Sequence, residues 1–120
     1  MAEKRGISGR ALGRKGNPLG SPPFILHASV STTSAELCSN LGFKIRIVDA
    51  WAVATGGACG IVTFTDGTTT VGQTAAMGGD TDIGRADELD DAVYEIGATG
   101  KIAATSASGT GELYVLCVRI

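Results

Sequence analysis

The feature that most constrains this chain is its punctuation. Short runs of β-forming residues recur at intervals of roughly ten residues between turns built from glycine and small polar residues. No helical segment longer than Ala86 to Leu89 interrupts them. Phe24 to Val30 predicts a strand, and Ser31 to Asn40 a turn region of small polar residues. Leu41 to Thr55 is the longest apolar run. Strict alternation places Ile45, Ile47, Asp49, Trp51 and Val53 on one side and Lys44, Arg46, Val48, Ala50 and Ala52 on the other. Hydrophobicity on both sides marks an interior strand, bent near Asp49.

Gly56-Gly57 turns the chain into a strand over Ile61 to Thr65. Asp66-Gly67 then predicts a hairpin pairing that strand with Thr68 to Val71. Gly72 to Asp87 has little period and reads as a loop with a short extended piece, before a strand at Asp91 to Ile96 and a turn at Gly97 to Gly100. Lys101 to Thr105 and Glu112 to Ile120 complete the set, separated by a turn over Ser106 to Gly111. The last of these runs is apolar on both faces and belongs inside a sheet.

Eighteen glycines and six aromatic residues leave the core to Val, Ile, Ala and Leu, at a length that suits one body. The fold class expected is all-β: an antiparallel β-sandwich, a jelly roll of about eight strands over residues 22–120, preceded by an extended N-terminal arm over residues 1–21.

In that arm Lys4, Arg5, Arg10, Arg14 and Lys15 stand against Glu3, a net of +4. Residues 22–120 carry five cations against eleven acids, a net of −6. Glycines 6, 9, 13, 16 and 20 with Pro18 oppose a helix. Fully stretched, the segment reaches on the order of 70 Å at about 3.3 Å per residue. Ile7, Leu12 and Leu19 are its apolar anchors. It has no apolar centre of a signal peptide, and no run has the length needed to span a bilayer, so no membrane partner is expected. The lack of interleaved aromatics and the acidic body argue against nucleic acid. Cys38, Cys59 and Cys117 are odd in number and widely spaced, which reads as small buried hydrophobes in a reducing cytoplasm.

Chemistry-bearing constellations are sparse. The single histidine, His27, sits in an apolar strand and reads as a core or interface residue. No phosphate-loop or dinucleotide pattern occurs, so neither a cofactor nor an enzymatic activity is expected. The acidic run from Asp80 to Asp91 has aspartate at the first and third positions of a calcium loop, but Gly84 and Asp91 fall off the pattern, leaving a solvated edge loop as the expectation. Trp51, Tyr94 and Tyr114 are candidate subunit contacts.

Val48-Asp-Ala-Trp-Ala-Val-Ala-Thr55, Thr65-Asp-Gly-Thr68, Asp90-Asp-Ala-Val-Tyr-Glu-Ile96 and Leu113-Tyr-Val-Leu-Cys-Val-Arg-Ile120 resemble segments of small virion proteins of tailed bacteriophages, in particular the jelly-roll capsid decoration, or cement, proteins. The resemblance covers Pro22 to Ile120 and rests on packing and turn motifs. It implies a structural protein of the virion, made in the host cytoplasm. Such a protein sits as a homotrimer on the outer capsid surface and bridges subunits of the major capsid protein lattice. Lys4, Arg5, Ile7, Arg10, Leu12, Arg14, Lys15 and Leu19 would then form the capsid-binding arm. The alternative is a head-fibre or tail-associated adhesin that binds a host receptor or glycan.

Overall fold

The computed structural model describes residues 22–89 and 94–120. The arm, and residues 90–93, of which 91–93 open the expected strand at 91–96, lie outside the described residues. Nine strands follow one another: β1 Phe24–Val30, β2 Ala35–Ser39, β3 Ile45–Thr55, β4 Val62–Thr65, β5 Thr70–Thr74, β6 Ile83–Leu89, β7 Glu95–Ile96, β8 Lys101–Ser106 and β9 Thr110–Arg119. Every ladder is antiparallel, in the order β1-β9-β3-β6-β5-β4-β8-β2, with β7 paired to the start of β3.

That order divides into two sheets, β1-β9-β3-β6 and β5-β4-β8-β2. The partners β1 with β9, β2 with β8, β3 with β6 and β4 with β5 are those of a folded double ribbon, which is the jelly-roll topology. β6 belongs to both sheets: Ile83 to Arg85 pair with β3, and Ala86 to Leu89 with β5. The Ser106 amide donates to the Ser31 carbonyl at 2.8 Å where the opposite edges meet.

Between the sheets lie Ile45, Ile47, Ala50, Ala52 and Ala54 of β3, Leu113, Val115 and Cys117 of β9, and Val62, Phe64, Val71 and Ile102 of the facing sheet. Phe64 is the one fully buried aromatic among the described residues. Burial pushes the Cys117 thiol up to about 12, and desolvation likewise raises Cys38 and Cys59. All three thiols are free.

The expected interior strand is β3, gripped by β9 on one side and by β6 and β7 on the other. Its faces differ from strict alternation. Leu116 pairs with Asp49 and Cys117 with Ile47, so Val48 is an extra residue without a partner. This bulge shifts the phase by one. Ile45 and Ile47 point inward before it and Ala50, Ala52 and Ala54 after it, while Trp51 and Val53 turn to the outer surface. The Asp49 carboxylate holds the bend by accepting the Ala50 amide at 2.8 Å.

Three further differences have local causes. Ala35–Ser39 is a strand inside the expected turn, because pairing with β8 supplies hydrogen bonds that composition does not reveal. The hairpin is present but its loop has four residues, with Thr65 paired to Thr70. Asp66 accepts the Thr68 and Thr69 amides at 3.0 and 2.7 Å, which holds its carboxyl below the usual range. Gly72 to Asp87, expected as a loop with a short extended piece, contributes Gly72 to Thr74 to β5 and most of β6. Gly84 explains the second: a Cβ there would lie 2.6 Å from the Ala75 carbonyl oxygen, so only glycine lets β6 pass this close. Ala86 to Leu89 is strand, not helix.

A candidate interaction face

Register determines what the outer surface of the first sheet presents. His27 pairs with Tyr114, Tyr114 with Trp51 and Trp51 with Arg85, so four side chains from β1, β9, β3 and β6 form one row. The His27 and Tyr114 rings stack at 4.7 Å with 21° between planes, and Tyr114 and Trp51 at 5.8 Å with 16°. Stacks of this kind contribute about 0.5–1.5 kcal/mol each. Because β9 runs between β1 and β3, Tyr114 has a ring against each face.

The rows on either side mix aliphatic side chains with Ser29, Glu112 and Asp49. Ile25 faces Leu116, Val53 faces Ile83, and the bulged Val48 is pushed outward. Ile25, Val48 and Ile83 are 51%, 49% and 68% exposed, which makes this face the main concentration of open aliphatic surface among the described residues.

Polar groups are tied down around the row. Glu112 accepts from Ser29 Oγ at 2.8 Å and from His27 Nε2. The Ser29 bond, with His27 adding to it against some desolvation, holds the Glu112 carboxyl below its ordinary range. Arg85 donates to Asp49, closing the β6 end of the row.

Of the candidate subunit contacts, the fold brings Trp51 and Tyr114 together and leaves Tyr94 elsewhere. The Tyr94 ring lies under the Arg46 guanidinium, 5.5 Å away, and packs on the core. Arg46 also donates to Glu95 at 2.6 Å and holds that carboxyl low. His27, expected in the core or an interface, is exposed on the outer surface. The capsid-arm residues Lys4, Arg5, Ile7, Arg10, Leu12, Arg14, Lys15 and Leu19 lie outside the described residues. Sequence reasoning missed Ile25, Val48, Ile83 and Arg85. The strict i, i+2 spacing of Ile25, His27 and Ser29 opposite Leu116, Tyr114 and Glu112 was the available signal.

Along the acidic run, Asp80 accepts the Gly56 amide at 2.7 Å and Asp82 the Gly78 amide at 3.0 Å, so both serve as turn caps. Among the described residues no group of three His, Cys, Asp or Glu side chains is placed to hold a metal ion. No protein-family model, curated protein or solved structure matches the chain. The likeness to cement proteins therefore rests on the residues quoted for it.

Proposed function

We propose that this chain is a structural protein of a bacteriophage virion, a homotrimer that decorates the outer capsid and stabilises it by bridging subunits of the major capsid protein. The observation that carries the reading is the His27–Tyr114–Trp51 stack with the exposed Ile25, Val48 and Ile83 beside it on one outer face. Contiguous apolar patches on a soluble fold mark contact surfaces.

The size of the face fits a two-part attachment. Three strand spacings of about 4.8 Å, over the length of β9 at about 3.4 Å per residue, bound the whole outer face of this sheet, polar groups included, at on the order of 500 Å². Stable protein interfaces bury about 800 Å² per partner. The face alone falls short, and residues 1–21 are the segment of the chain available to add the rest. Binding to the assembled lattice in preference to separated capsomers then stabilises the lattice by mass action.

A glycan-binding adhesin fits less well. Sugar stacking needs an open aromatic face; both faces of Tyr114 are filled by its neighbours, which leaves only the end rings of the stack, His27 and Trp51, for that role. The experiment is a measurement of copy number in purified particles, together with rebinding of the full chain to particles stripped of it. Copies commensurate with the coat subunits, and saturable rebinding, support decoration. A few copies confined to one vertex, or binding to host cells in place of particles, overturn it.

A further inference from the structure

We propose that two copies of this chain join edge to edge, β1 pairing antiparallel with β1 of the second copy about a two-fold axis at His27. This goes beyond the capsid reading. A two-fold contact does not close a trimer, so it links copies of different trimers.

The first argument is a difference between two edges. The sandwich is closed on one side, where β6 runs through both sheets, and on the other side β1 and β2 end the two sheets. β2 is five residues long, exposes Glu36 and is bulged between Glu36 and Cys38, all of which discourage a further strand. β1 has none of these guards. Its seven residues, Phe-Ile-Leu-His-Ala-Ser-Val, pair with β9 without a register shift and include no Lys, Arg, Asp, Glu or Pro. Among the described residues no strand pairs with its far side. A long, regular, uncharged edge is a template for another strand.

The second argument is the seam between these edges. Phe24, Leu26 and Ala28 point toward the core from β1 yet stay half-buried, as do Leu37 and Cys38 of β2 and Phe43 in the loop after it. A strand added to β1 continues that inward row and covers it.

The third argument identifies the strand. Residues that pair must share a face. The register that meets this condition and overlaps the whole of β1 sets His27 against His27, Phe24 against Val30, Leu26 against Ala28 and Ile25 against Ser29. Each bulkier side chain meets a smaller one, so β1 complements itself. Charge agrees with the antiparallel sense. Arg119 stacks over Phe43 at the Phe24 end of the seam, and Glu36 is exposed toward the Val30 end, so unlike ends come together. The two outer faces then lie side by side on one surface, which doubles the area offered to a coat partner.

The contact is small. The length of β1 at about 3.4 Å per residue, across a seam about 10 Å deep, buries on the order of 240 Å² per copy. Stable interfaces bury about 800 Å² per partner. Free copies therefore pair weakly, and copies held side by side on a lattice pair through their effective concentration.

The test is oxidative crosslinking of the full chain, without particles, at several protein concentrations. Directly opposed Cα atoms lie about 4.5–5.5 Å apart, within the span of a disulfide. His27→Cys is expected to give a covalent dimer that rises with concentration, on the order of tenfold more than Ser29→Cys or the wild-type chain with its native thiols. Two Ser29 positions would lie about 14 Å apart along the strands, beyond that span. The double variant Ile25→Cys, Ser29→Cys keeps the His27 stack and is expected to crosslink as well, because those two positions oppose each other. A folded His27→Cys chain with no excess dimer, or equal dimer from His27→Cys and Ser29→Cys, overturns the pairing. If far-ultraviolet circular dichroism shows that His27→Cys has lost the sandwich, the double variant decides by the same criterion. Copy number and rebinding on particles test the capsid reading separately, so the failure of one is distinguishable from the failure of the other.

Discussion

The two outer faces of the sandwich are made by the same alternation of side chains and differ in what they present. On the first sheet the outward rows read Ser29–Glu112–Val53–Ile83, His27–Tyr114–Trp51–Arg85 and Ile25–Leu116–Asp49. On the second they read Glu36–Ala103–Thr65–Thr70 and Thr105–Thr63–Gln73. A shallow depression on this face is lined by Ser34, Thr63, Thr65, Ala103, Ala104 and Thr105. Threonine suits a pleated surface that faces water. Stacked aromatic and open aliphatic side chains lose hydration cost when covered. On the proposed reading, the difference leaves solvent to one face and a partner to the other.

The core both faces share is the reference, and breaking it gives the largest effect. Phe64→Ala removes the one fully buried aromatic of the described residues and is expected to cost about 3–5 kcal/mol, read as a fall in the urea midpoint. Next comes the face itself. Trp51→Ala is expected to lose about 2 kcal/mol of particle binding, roughly thirtyfold in co-sedimentation. Its urea midpoint should move only by the lost stack, about 0.5–1.5 kcal/mol.

Thr63→Lys on the opposite face sharpens the contrast, because both stability and binding should stay within about 0.5 kcal/mol of wild type. A Thr63→Lys chain that folds and no longer binds particles would reverse the assignment of the two faces.

The smallest effect is acid sensitivity at Glu112. Its carboxyl is held below its ordinary value of 4.5, so its contribution is present above that value and is lost as pH falls through the lower folded value. Glu112→Gln should lower the neutral midpoint slightly, converge on wild type in acid below the folded value, and so flatten this part of the acid limb in pH-dependent urea melts. Glu95 is depressed in the same direction by Arg46 and should leave a residual acid limb in that variant.

Much of the sandwich was legible in the sequence because turn residues and β-rich runs are local signals. The terminal strand's two-sided apolarity placed it inside the sheet, where β9 lies between β1 and β3. β2 was not legible, since Ala35, Glu36 and Ser39 have no marked β preference and are strand only through pairing with β8. The candidate site was half legible. Trp51 and Tyr114 were named, but their meeting depends on the Val48 bulge, which reverses the phase of β3 just before Trp51. A one-residue slip in a ladder depends on the partner strand, Leu116 and Cys117, and period counting along one strand does not contain it.

The most direct test of the central claim is the orientation of the protein on a purified particle, obtained by cryo-electron microscopy. The account predicts copies repeating with the coat lattice, with His27, Tyr114 and Trp51 buried against protein and Thr63 and Thr65 open to solvent. Copies that bury the threonine face and leave Trp51 and Tyr114 open to solvent would contradict it.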